Sequence, residues 1–178
     1  MEKQDNYKKK IYIAGPDVFF PISKEILEEK KQLCKKYGFE GISPLDNEID
    51  LKKYSKEVSS MLIRKGNIKL IEKSDIVIAN LNSFRGFEPD SGTCFEVGYA
   101  TALDKVIYLY LDNSTLDLKE RYCKFKGHEF DSSLYDCDGN SIENFSLPAN
   151  LMFSGAKIKE SFEECLIDLK SSYLIDWI

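Results

Sequence analysis

Histidine is almost absent: His128 is the only one in 178 residues. A Ser-His-Asp triad would rest on that one imidazole, and a site of several histidines around a metal is excluded. The five cysteines, Cys34, Cys94, Cys123, Cys137 and Cys165, are scattered, odd in number and never spaced C-x-x-C. That argues against a disulfide framework or a zinc site, so no metal is expected and the thiols read as reduced cysteines of a cytoplasmic protein. No stretch approaches the ~20 apolar residues of a membrane span. The first six residues are polar and include acids, unlike a signal or transit peptide. Neither Gly-x-Gly-x-x-Gly nor a Walker A sequence occurs, which argues against NAD, FAD and P-loop nucleotides; no cofactor is expected. A basic excess is also missing, with 25 basic against 30 acidic residues and a net charge of −5. That argues against a nucleic-acid polymer as partner. Lys8-Lys9-Lys10 reads as a solvated flank, and residues 1–9 as flexible.

What is present is enough for a core. Hydrophobic residues make up 43% and aromatic residues 12%. The length suits one domain over residues 1–178, and no repeat, linker or low-complexity tract interrupts it. Lys10 to Pro16 is a short β-rich run stopped by Gly-Pro. Ser23 to Tyr37 has helical spacing with Gly38 as its stop; Phe39 to Ser43 is a second short strand. Lys56 to Lys73 is helical, weakened at its centre by Gly66. Asp75 to Leu81 is the clearest strand, followed by a loop over Asn82 to Ser91 and a helix over Thr93 to Leu103. Val106 to Leu111 is a fourth strand, and Lys157 to Tyr173 a final helix. Residues 112–155 read as irregular, with a turn at Asp138-Gly139. This alternation predicts a doubly wound α/β fold, a flavodoxin- or Rossmann-like parallel sheet flanked by helices. Ligands of such sheets bind beyond the carboxyl ends of the strands.

Acids gather at those ends: Asp17, Asp46, Glu48, Glu88, Asp90 and, a turn further on, Glu96. Asp75 lies at the start of its strand instead. Carboxylates without histidine point to acid–base or nucleophilic carboxylate chemistry, of which glycosidic bond cleavage is the leading example. If the helix opens at Thr93, Glu96 lies in its first turn, where the dipole favours the ionised form a nucleophile needs. Thr93-x-x-Glu96 equally fits a capping box, and Asp90 alone fits a helix cap.

Five segments taken together resemble the nucleoside 2-deoxyribosyltransferase family. They are Ile11-Tyr12-Ile13-Ala14-Gly15-Pro16, Pro44-Leu45-Asp46-Asn47-Glu48, Ser74 to Ala79, Asp90 to Ala100, and Asn150-Leu151-Met152. The resemblance implies that Glu96 is a nucleophile forming a deoxyribosyl ester, that Tyr12 orients it and that Asp75 helps protonate the leaving base. It implies that Asp90 holds a deoxyribose hydroxyl and that Gly15, Pro16, Asp46 and Glu48 lie at the substrate. Asn150 would enter a neighbouring subunit's site with Met152 beside it, making the protein a homo-oligomer. Its partners would be deoxynucleosides and nucleobases, and its setting purine salvage. Glu48 departs from the glutamine often found there. An acceptor-only carboxylate is expected to shift base choice toward purines. Residues 123–145 match nothing in the family and read as a lid or an oligomer contact. Two alternatives stay open: a 2′-deoxynucleoside or 5′-monophosphate N-glycosidase, and a non-catalytic nucleoside-binding module. The charge of Asp90 disfavours a phosphate there.

Overall fold

The protein is described here from a computed structural model, covering residues 8–47, 49–129, 135, 136 and 138–175. Expectations for Glu48, for residues 1–7 and for 130–134 and 137 lie outside these.

Short β-branched and aromatic runs form the strands β1 (Lys10–Ala14), β2 (Glu40–Ile42), β3 (Ile76–Asn80), β4 (Val106–Tyr110) and β5 (Lys157–Lys159). They form one parallel sheet in the order β2-β1-β3-β4-β5. The helices are α1 (Ser23–Tyr37), α2 (Lys56–Lys73), α3 (Ser91–Ala102), α4 (Leu118–Lys126) and α5 (Phe162–Ile175). The period of two along the strands sorts residues between two layers. Ile11, Ile13, Ile76 and Ile78 pack against Leu27 and Cys34 of α1 and Cys165, Leu166 and Leu169 of α5. Tyr12, Ala14, Val77 and Ala79 face Ile71 of α2 and Val97 and Ala100 of α3. The sheet is therefore doubly wound, as expected. Successive connections leave β1 in opposite directions, to β2 on one side and β3 on the other, opening a crevice at their carboxyl ends.

Three expectations change. The stretch read as irregular contains α4, closed by reciprocal bonds from Glu120 N–H to Asp117 Oδ1 (2.8 Å) and from Asp117 N–H to Glu120 Oε2 (2.9 Å). It stops at Gly127, whose φ of 72° suits glycine. The final helix begins later than expected, because Lys157–Lys159 pairs with β4 as an edge strand. Lys9 belongs to no free flank: its carbonyl accepts from Glu40 N–H (3.0 Å) and its ammonium pairs with Asp75 (3.1 Å). The turn at Asp138-Gly139 is present, bracketed by a bridge between Tyr135 and Ser141.

Candidate active site

The crevice is built on the ends of β1, β2 and β3. After β1 the chain turns at Gly15, with φ 155°. A side chain there would stand 2.8 Å from Asn80 Cβ and 2.7 Å from Asp17 Oδ2, so only glycine lets β1 and β3 end this close together. The turn Pro16–Phe19 follows, then Pro44–Asp46 after β2. With α2 and α3 these turns wall a cleft of about 390 Å³, lined by Gly15, Val18, Phe19, Pro44, Leu45, Asn47, Ile49, Ile63, Asn67, Asp90, Gly92, Thr93 and Glu96. A shallower trough between α2 and α3 shares Ile63, Asn67, Gly92 and Glu96 with it and adds Ile68 and Phe95.

Helix α3 starts at Ser91, two residues before the helix expected at Thr93. Asp90 is its cap, its Oδ2 accepting from Thr93 N–H (2.9 Å) and Thr93 Oγ1 (3.0 Å). Two glycines weaken this helix by ~1 kcal/mol each. The cap and the burial of Thr93, Val97 and Ala100 hold it against the sheet. The early start overturns the Thr93–Glu96 capping box and leaves the Glu96 side chain free of capping duty. It also places Glu96 in the second helical turn, where the dipole contributes less than expected.

Glu96 is held by two donors on one oxygen. Tyr12, wholly buried on β1, gives its hydroxyl to Glu96 Oε1 at 2.7 Å. Asn67 of α2 gives its Nδ2–H to the same atom at 3.3 Å. Among the described residues nothing bonds to Oε2. Loss of solvent pushes the Glu96 carboxyl up from 4.5 to about 7. The hydrogen bonds from Tyr12 and Asn67 pull the other way, and the charge of Asp90 adds to the rise. Burial wins, so the expectation of a carboxylate kept ionised by the helix dipole is corrected. Burial and then the Glu96 charge raise the Tyr12 phenol far above its ordinary range, so it stays a donor.

Of the residues expected at the site, the structure brings together Glu96, Tyr12, Asp90 and Gly15. Pro16 is buried and does not line the cleft. Asp46 turns away: its carboxylate pairs with Lys31 of α1 and accepts from Ser43 N–H (2.8 Å). Asp75 lies at the amino edge of the parallel sheet, accepting from Lys10 N–H (2.8 Å) and pairing with Lys9. Glu96 is at the carboxyl edge, so the expected approach of Asp75 to the leaving base is not made. Asn150 donates to Glu143 (2.7 Å) and caps the turn Leu151–Phe153. Met152 is 80% exposed and borders a hollow against Val97 and Thr101, apart from the Glu96 cleft. The sequence reading missed Asn67 as a site residue, and Asn47 appeared there only as part of a motif. The signal was Gly66-Asn67, two poor helix formers inside an otherwise good helix. A metal-holding group of three or more acids, cysteines or histidines is absent among the described residues.

Comparison with known proteins agrees with this architecture. A 2-desoxiribosyltransferase from Leishmania mexicana superposes with a TM-score of 0.71 at 37% identity, covering 92% of this chain and 97% of that one. A 2-deoxyribosyltransferase from Bacillus psychrosaccharolyticus shares the fold, with a TM-score of 0.53 at 18% identity over 87% of this chain and 88% of its own. An uncharacterised protein of Schizosaccharomyces pombe is 33% identical over 97 residues, which is 53% of this chain and 46% of that protein. The family model for nucleoside 2-deoxyribosyltransferases matches residues 11–152, and the chain belongs to that family.

Proposed function

We propose that the protein moves a 2-deoxyribosyl group between nucleobases by double displacement, with Glu96 as the nucleophile. One observation carries this reading: a desolvated carboxylate lines the cleft with both its donors on Oε1 and, among the described residues, no bond to Oε2. In the first step Oε2 forms a bond to C1′ while the C1′–N bond breaks, its electron pair leaving with the base. The base takes up a proton as it departs. Asp75 stands at the far edge of the sheet, which leaves that proton to solvent or to Asp90, the other carboxyl in the cleft lining. A second base then attacks C1′ from the vacated side, releasing the ester and restoring configuration. The apolar lining by Val18, Phe19, Leu45, Ile49 and Ile63 suits a flat base and limits the water that would hydrolyse the ester.

Purine bases are the preferred substrates in this reading, from the acceptor-only Glu48, and the setting is purine salvage in the cytoplasm. The four described cysteines are free thiols, which suits a reducing compartment. Neither Asn150, which is bonded to Glu143, nor exposed Met152 lines the Glu96 cleft of its own chain, and a homo-oligomer in which they complete a neighbour's site fits that placement. The test is a transfer assay with deoxyinosine and adenine, using intact protein and Glu96→Ala. Deoxyadenosine formed only by the intact protein upholds the proposal. Hypoxanthine alone would make the protein an N-glycosidase, and no turnover of any donor would make it a binding module.

A further inference from the structure

Gly66 lies in the middle of α2, where glycine is costly and alanine would be preferred. Its surroundings give the reason. A Cβ at position 66 would lie 2.5 Å from Asn47 Oδ1, 2.7 Å from its Cγ and 2.9 Å from its Nδ2. The Asn47 amide therefore rests directly on the bare helix backbone. From there it makes two bonds with one nitrogen, donating to the Pro44 carbonyl (3.1 Å) and to Asn67 Oδ1 (2.7 Å).

The polarity of this chain of amides is forced from one end. The Pro44 carbonyl can only accept, so the Asn47 NH₂ must face it. That NH₂ also meets Asn67, so Asn67 must present its carbonyl oxygen there. Asn67 is left with its own NH₂ toward Glu96 Oε1, at 3.3 Å. Reversed, the amide would point an oxygen at a carboxylate and repel its charge.

We propose that Gly66 and Asn47 are positioning residues: the missing side chain at 66 seats the Asn47 amide, which locks Asn67 so that an N–H faces Glu96. The proposal rests on Glu96 being the reacting carboxylate. It deepens that reading by adding two residues that act on Glu96 through Asn67. The atom in the way of a Cβ is the tip of a side chain rather than backbone. Gly66→Ala therefore displaces Asn47 and keeps the fold.

The variants are Gly66→Ala, Asn47→Ala, the double variant, and Gly98→Ala as a control, because a Cβ at Gly98 meets open space. Glutamate labelled with carbon-13 at the side-chain carboxyl is titrated by NMR in the free protein. The Glu96 signal is the one lost in Glu96→Gln. This readout needs no turnover, so it separates failure of the inference from failure of the transferase reading. The midpoint of Glu96 should rise by about one pH unit in Gly66→Ala and in Asn47→Ala. It should rise no further in the double variant and stay put in Gly98→Ala. The Tm of Gly66→Ala should equal or exceed that of the parent. If transfer occurs, the acid limb of kcat should move with the NMR midpoint. An unmoved midpoint in Gly66→Ala, or shifts that add in the double variant, would overturn the proposal. If Gly66→Ala does not fold, an unmoved midpoint in Asn47→Ala overturns it alone.

Discussion

Tyr12 and Glu96 are 84 positions apart in the chain, yet their side chains meet at 2.7 Å where β1 and α3 share one face of the sheet. The contact costs the phenol nothing in packing, since Tyr12 is a wholly buried core residue in the same layer as Val97 and Ala100. Tyr12→Phe should therefore keep the fold and remove only a donor. A hydrogen bond to a charged group contributes roughly 1.5–3 kcal/mol, so kcat should fall about 10- to 100-fold. The acid limb of the activity profile should move upward, because the bond favours the ionised carboxylate. Steady-state kinetics across pH, with Tm measured alongside, checks both parts. Unchanged kcat would remove Tyr12 from the chemistry.

The Glu96 carboxyl itself predicts a pH dependence in two directions. Attack needs the ionised form, so activity should rise with pH through a midpoint near 7. Stability runs the opposite way. The folded value of about 7 exceeds the ordinary 4.5, so the folded state holds the proton more tightly than the unfolded chain does. That contribution is complete below 4.5 and is lost as pH climbs through 7. Glu96→Gln cannot lose it. Thermal melts should show the variant matching the parent at pH 4 and exceeding it at pH 8, by up to about 3 kcal/mol. Equal stability at both pH values would show that the carboxyl is not desolvated.

Asp90 has two tasks that substitution can separate. As a cap it needs only an acceptor for Thr93 N–H, which asparagine also supplies. Asp90→Asn should keep the unfolding free energy within a few tenths of a kcal/mol, while Asp90→Ala should lose about 1 kcal/mol. If the carboxylate also holds the sugar, both variants should raise KM for the deoxynucleoside by 10-fold or more, a loss of about 1.4 kcal/mol or more. A rise only in the alanine variant would mean that Asp90 acts through the helix alone.

Asp168 of α5 gathers Lys157 (2.8 Å), Lys159 (2.7 Å) and the Tyr108 hydroxyl (2.7 Å), tying the last helix to β5 and β4. Hydrogen bonds from the two lysines, then from Tyr108, hold its carboxyl well below the usual range. The depressed value means that its contribution is present above the ordinary carboxylate range and fades as pH falls toward the folded value. Asp168→Asn should lower stability by about 1 kcal/mol at pH 7, a modest figure because the group is partly exposed. Denaturant titrations should show the difference shrinking in acid. A difference that is constant with pH would assign the loss to packing instead.

The sheet was legible because β1, β3 and β4 carry dense apolar runs and β2 lies between the Gly38 stop and Pro44, and α1 and α2 were legible from their spacing. β5 was not, since Lys157–Lys159 is too short to show any period and runs into the pattern of α5. Helix α4 carried a signal that went unread: Asp117 and Glu120 have capping-box spacing, and Gly127 marks the stop. At the site, resemblance paired Glu96 with Tyr12, and the two side chains do meet, whereas the pattern alone reads them as a cap and a core residue. Asp75 stands away from Glu96 because a residue just before a parallel strand lies at the amino edge, whatever motif contains it. Asp46 points to Lys31 because position on a loop does not say which way a side chain turns. Asn67 was missed because an amide in a helix carries no charge to attract notice.

The sheet ends on both sides in strands of three residues, Glu40–Ile42 and Lys157–Lys159. The second is flanked by lysines already committed to Asp168. Among the described residues neither border offers a long apolar row of free backbone groups on which another chain could add a strand. Strand addition is thereby disfavoured, and the helices and loops, among them the surfaces that carry Met152 and the mouth of the Glu96 cleft, are left as the better ground for contact between copies. The brevity of its borders guards this parallel sheet against extension toward fibres.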